Sequence, residues 1–154
     1  MRRRTLLAAV AAGATAGCTS SGGVGGEGGS PTPTDSPTAT PDAGSVDSVS
    51  LERTGDCEAS DTGASAGSDA GVVVVDGCIE GPAGCSQPEL QSARVEGGRL
   101  VVTVGTVETA EICTQQLVYR GYGVRVETTG GLPVAVEVRH TDGERARTVT
   151  ETTL

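Results

Sequence analysis

The sequence predicts an all-β domain, a small antiparallel β-sandwich with a small barrel as the alternative, placed behind a disordered linker. Three observations carry this reading. From Val46 onward, short runs rich in valine are separated by glycine turns. Within those runs apolar residues recur at every second position, which places them on one face of a strand. No stretch of this part shows the 3.6-residue period of an amphipathic helix.

Each element has its own signal. Val46–Thr54 alternates through Val49 and Leu51. Asp56–Gly71, made largely of Ser, Asp, Ala and Gly, reads as a surface loop. Gly71–Ile79 holds four consecutive valines, as in a strand covered on both faces. Glu96-Gly97-Gly98-Arg99 is a two-residue hairpin signal that joins Ser92–Glu96 to Arg99–Val104. Leu100, Val102 and Val104 of the second strand face one way. In the run Ile112–Thr128, Leu117 and Tyr119 occupy odd positions and Tyr122, Val124 and Val126 even ones. One register cannot bury both sets, which predicts a β-bulge or bend around Arg120–Gly123. Thr129-Gly130-Gly131 then turns the chain into Pro133–His140, with Val134, Val136 and Val138 on one face, and Asp142-Gly143 opens a hairpin into Arg145–Thr150. Six or seven strands of this kind pack as two layers over residues 46–154.

Ahead of the domain, residues 1–17 read as an export signal peptide. Arg2, Arg3 and Arg4 precede an apolar stretch, Leu6–Ala16, and small residues stand before Cys18. Those 11 residues span about 16 Å as a helix, roughly half of the ~30 Å hydrocarbon core, which argues against a permanent transmembrane helix. Arg3-Arg4-Thr5-Leu6-Leu7 resembles a twin-arginine signal, whose route exports folded proteins. Thr15-Ala16-Gly17-Cys18 resembles a lipobox. That resemblance implies cleavage just before Cys18 and a two-chain lipid on its sulfur, so that the membrane is a partner through Cys18.

Residues 18–45 read as the lipid-anchor cysteine and its tether. Thr19–Ser45 contains 10 Ser/Thr and 4 Pro, with Val24, Ala39 and Ala43 as its apolar side chains. Gly22–Gly29 predicts flexible coil and Ser30–Pro41 extended polyproline II. Neither buries enough surface to offset its ordering entropy. The threonines are candidates for O-glycosylation, whereas a chain without Asn cannot carry N-linked sugar.

Four cysteines follow Cys18: Cys57, Cys78, Cys85 and Cys113. An even number in an exported domain predicts two disulfides, and of the three possible connectivities Cys57–Cys78 with Cys85–Cys113 closes two separate loops. A core without Phe or Trp needs such crosslinks. Zinc is a weaker reading, because the chain has no Cys-x-x-Cys pair. A blue-copper site needs two histidines, and the chain has one, His140. No cofactor is expected.

Without the signal arginines, 8 Arg stand against 20 Asp and Glu, a net charge of -12. Such a surface repels nucleic acid and anionic headgroups. The acidic, lysine-free composition, together with the signal and the Ser/Thr/Pro tether, resembles the secreted lipoproteins of halophilic archaea. That resemblance implies an extracytoplasmic, membrane-anchored protein adapted to high salt, and it supplies no catalytic motif.

The search for chemistry gives few candidates. Gly63-Ala64-Ser65-Ala66-Gly67 matches the nucleophile-elbow pattern, with His140 downstream, but no helix follows and the domain is too short for an α/β-hydrolase. Asp56, Glu58, Asp61 and Asp69 crowd one loop without EF-hand spacing, since the twelfth position from Asp56 is Gly67. Among so many acids, no pair stands out for glycoside chemistry. His140 is in phase with Val134, Val136 and Val138 and reads as a strand-end packing residue. Tyr119, Arg120 and Tyr122 are the interface candidates, since Tyr and Arg are favoured in binding hot spots; core filling by the two tyrosines is the competing reading. The sequence thus predicts a non-catalytic binding or structural role at the cell surface. The alternatives are an accessory subunit of a transporter or surface complex, and a hydrolase built around Ser65 or His140.

Overall fold

The computed structural model describes residues 44–154. The export signal, Cys18 and the tether up to residue 43 lie outside the described residues.

Among the described residues, eight strands and one short 3₁₀ turn follow one another. β1 is Val46–Asp56, the 3₁₀ turn Ala59–Asp61, β2 Gly63–Asp69, β3 Val72–Gly81 and β4 Ser86–Glu96. β5 is Arg99–Glu108, β6 Val118–Thr128, β7 Ala135–Thr141 and β8 Ala146–Thr153. They form two four-stranded sheets, ordered β1-β6-β3-β2 and β4-β5-β7-β8. The sheets pack face to face as a sandwich, with β1 beside β4 and β2 beside β8. Neither sheet closes into a barrel.

Alternation builds the core. Val73, Val75 and Ile79 of β3 meet Tyr122, Val124 and Val126 of β6 on the inner face of the first sheet. Leu100, Val102 and Val104 of β5 lie with Val136 and Val138 of β7 on the inner face of the second. With no Phe or Trp available, Tyr122 is the largest fully buried side chain. The edges are tied by side chains that reach across: Thr150 Oγ1 donates to the Ala64 carbonyl at 2.7 Å, and Arg53 Nε to the Pro88 carbonyl at 3.3 Å.

The structure corrects the expected pattern in five places. β5 and β7 pair in parallel, because β6 crosses to the other sheet between them. The supposed loop Asp56–Gly71 contains β2, which pairs antiparallel with β3 through the turn Asp69-Ala70-Gly71-Val72. Strand β6 carries no bulge of its own against β3. The irregularity lies on its other neighbour, between Arg53 and Gly55 of β1, opposite Tyr122 and Gly121. Leu117 resolves the phase conflict by staying outside the strand, 56% exposed. Val72 and Val74 are only half-buried, so the valine run is fully closed on one face alone. Val134 precedes β7 and is 65% exposed, which takes it off the buried face of Val136 and Val138 that the alternation predicts for it.

The strands give the domain two distinct ends. Ser45 sits at one of them, where its hydroxyl and that of Thr129 are 2.8 Å apart. Exposed Leu132, Val134 and Leu154 lie at this end, and the Leu154 amide donates to the Val134 carbonyl at 3.1 Å. The opposite end, where β3 finishes and β6 begins, carries both disulfides.

Candidate functional site

At that far end the four cysteines form Cys57–Cys78, with Cα atoms 6.1 Å apart, and Cys85–Cys113, at 5.5 Å. The first pins the segment after β1 onto β3. The second ties the β3–β4 connection to the long loop between β5 and β6. Two disulfides point to an oxidising, extracytoplasmic setting. No helix among the described residues is long and apolar enough to cross a membrane.

Arg120 sits between these crosslinks and has a structural task. Its Nε donates to the Ser86 carbonyl at 3.2 Å, Nη2 to the Gly84 carbonyl at 3.0 Å, and Nη1 pairs with Asp56. One guanidinium thereby fastens β6 to the end of β1 and to the turn that leads into β4. Its hydrogen bonds are spent inside the molecule, which corrects its reading as an interface residue. Tyr122 corrects the same reading, being 1% exposed. Tyr119 is half-buried. The exposed apolar residues near this end are instead Ile112, 93% exposed, and Leu117, on the loop that Cys113 pins.

Tyr122 and His140 meet across the core. The phenol oxygen lies 2.7 Å from His140 Nε2, and the rings are edge to face with centroids 5.7 Å apart. The tyrosine ring lies over Gly77, where a Cβ would collide with its outer carbons and hydroxyl. Burial, reinforced by the Asp76 carboxylate, pushes the phenol pKa well up, so it stays protonated. Burial, with the Arg147 cation nearby, holds the imidazole down at about 4, so it is neutral at pH 7. A neutral imidazole has one N–H and one acceptor nitrogen. If the phenol donates to Nε2, both groups use their shared bond and Nδ1 carries the proton. The other tautomer would strand the phenol proton as well. His140 Nδ1 has no hydrogen-bond partner among the described residues, although His140 is 4% exposed.

Above this pair the mouth of the sandwich opens as a groove of about 600 Å³. Ile79, Glu80 and Pro82 form one side, and Thr106, His140, Asp142, Arg145 and Arg147 are among the residues of the other. The β7–β8 turn fixes its rim, because Asp142 Oδ1 accepts the amides of Glu144 at 3.0 Å and Arg145 at 2.8 Å. Those donors lower the Asp142 pKa, Arg145's amide foremost. A flatter trough of similar size, about 620 Å³, lies on the first sheet and includes Asp56, Asp61, Thr62, Ser65 and Asp76.

The catalytic and calcium patterns are not assembled. Ser65 is in the middle of β2, opposite Asp76, with no strand-to-helix turn. Its side chain belongs to the outer face of its sheet, whereas His140 points into the core. Asp69 is at the β2–β3 turn, at the other end of β2 from Asp56, Glu58 and Asp61. Among the described residues the one cluster of metal-ligating type is Cys85, Glu108 and Cys113, and both of its sulfurs are in the disulfide.

Sequence reasoning passed over Arg145 and Arg147. The available signal was their place beside the Asp142-Gly143 turn, which brings both to the end of the strand that carries His140. Fold and crosslinks define a disulfide-stapled all-β domain with a groove of apolar and charged residues at its crosslinked end. No protein-family model matches the chain, and neither a curated protein nor a solved structure matches it.

Proposed function

We propose that the protein is a lipid-anchored module that holds a non-catalytic binding surface outside the cell, in a high-salt setting. The observation that carries this reading is the polarity of the domain. The chain from the tether joins at the Ser45 end, and both disulfides, the groove and the exposed Ile112 loop gather at the other. A two-chain lipid on Cys18, at ~0.8 kcal/mol per buried methylene, would tether the domain through its Ser45 end and leave the other end clear of the chain that leads to the anchor. The lipobox-like and twin-arginine-like patterns support the anchor and the export route, and the disulfides support the compartment.

Intact mass of the native protein, with and without reduction, tests this. The expected result is a chain that begins at Cys18, carries lipid, and gains four mass units on reduction of two disulfides. An unlipidated mass that still includes residues 1–17 would sink the reading.

The accessory-subunit alternative has its own support. Ile112 is 93% exposed on a loop held by Cys85–Cys113, with Glu108 and Glu111 beside it. An apolar tip with an acidic rim suits a partner surface with an apolar pocket and basic edges. Under this reading Ile112→Asp abolishes co-purification of a stoichiometric partner from detergent-solubilised membranes, while the anchored-module reading leaves recovery unchanged.

A further inference from the structure

We infer that the groove at the mouth of the sandwich binds a small oxyanion, a carboxylate or phosphate group, on Arg145 and Arg147, beside the His140 ring. This goes beyond a general binding role and does not depend on lipid at Cys18. Three observations converge on it.

The first is how the arginines are used. The described residues contain 8 Arg among 17 Asp and Glu, and four of the eight arginines form an ion pair with a carboxylate. Arg94, Arg99, Arg120 and Arg139 all have one. Arg53 donates to the Pro88 carbonyl. Arg125, Arg145 and Arg147 form no ion pair among the described residues, and two of these three line one groove.

The second is the state of the local acids. Asp142 accepts two backbone amides on Oδ1, and although Arg145 lies close enough to act on its charge, the two form no ion pair. Glu80 lines the opposite side and pairs with neither arginine. The guanidinium forks keep their donors, which match the two oxygens of a carboxylate or phosphate.

The third is His140. Its Nε2 is taken by Tyr122 and its Nδ1 has no acceptor among the described residues. In the tautomer that satisfies the phenol, Nδ1 presents an N–H donor. Arg147 is the register partner of His140, so the donor and the cation occupy the same place on adjacent strands. Nδ1 itself is buried, so an anion held on Arg147 acts on the His140 ring through the cation beside it, and the ring reports its arrival. The volume, about 600 Å³, falls within the range of small-molecule pockets.

A single histidine makes the test direct, because its ring gives one set of NMR signals. Full-length native protein is titrated with succinate and, separately, inorganic phosphate, in sodium chloride sufficient for full β circular dichroism. The expected result is a saturable shift of the His140 ring signals with at least one of the two, and the better ligand tells carboxylate from phosphate. Arg145→Gln and Arg147→Gln should each weaken binding about tenfold or more, and Arg125→Gln should leave it unchanged. All three arginines are exposed, and circular dichroism checks that each variant folds. A linear drift with both ligands up to about 100 mM, weaker than any specific site, would overturn the inference. So would a saturable shift that survives in a variant carrying both Arg145→Gln and Arg147→Gln.

Discussion

Tyr122 and His140 form a polar bridge between the sheets, set among buried valine, leucine and isoleucine. Tyr122→Phe would leave the imidazole with both nitrogens unsatisfied, so it should cost about 1–3 kcal/mol in urea unfolding. The same pair governs stability against acid. The folded imidazole titrates at about 4, against 6.5 when exposed. The unfolded chain therefore takes up this proton first. Stability is full above pH 6.5 and declines as the pH falls toward 4. Glu137 adds a second decline at lower pH. It is 6% exposed, and its pKa is held at about 2 by hydrogen bonds from Arg139 and Thr148, with Arg99 adding to them. Its contribution is present above 4.5 and is lost as the pH falls toward 2. Melting temperatures measured across pH should show both declines. His140→Gln should remove the upper one and Glu137→Gln the lower.

The hairpins show what the sequence made legible and what it hid. Gly97 and Gly98 both have positive φ, 58° and 80°, as a two-residue turn requires, and the Gly-Gly pair announced it. The β2–β3 turn uses the same geometry at Ala70 and Gly71, with φ 49° and 85°, but alanine gives no such signal. Strand β2 was equally silent. Its inward residues are Ala64 and Ala66, too small to mark an apolar alternation, and they suffice because β8 covers them. The run Ile112–Thr128 did announce a register conflict, but a single sequence cannot say which strand absorbs it. Of the groove, only His140 was marked in advance; its two arginines converge through the β7–β8 register, which depends on a bulge between Val138 and Arg139. Ala70 carries a prediction of its own. Alanine in the left-handed region is strained by roughly 1 kcal/mol, and Asn tolerates that region better. Ala70→Asn should therefore raise the melting temperature by a few degrees.

For the domain as a whole, charge and crosslinks act against each other. The 17 carboxylates outnumber the 8 arginines, and this excess repels itself in dilute buffer. At molar salt the screening length is about 3 Å, and most of that repulsion disappears. Dialysis from molar salt into dilute buffer should reduce the β signal in circular dichroism, and an unchanged spectrum would argue against salt adaptation. The two disulfides limit the loss. They close loops with sequence separations of 21 and 28 residues, each worth about 3 kcal/mol in the chain-entropy account. Reduction should therefore shift the salt midpoint upward.

The opposition of the two ends has a mechanical consequence. Tension between the chain leading into Ser45 and anything gripped in the groove runs along the strand axes. β1 and β6 are joined by hydrogen bonds perpendicular to that direction, from Val46–Thr128 to Asp56–Arg120. Such a load shears the whole ladder at once rather than opening it like a zipper, so the module should resist being pulled apart by its own cargo.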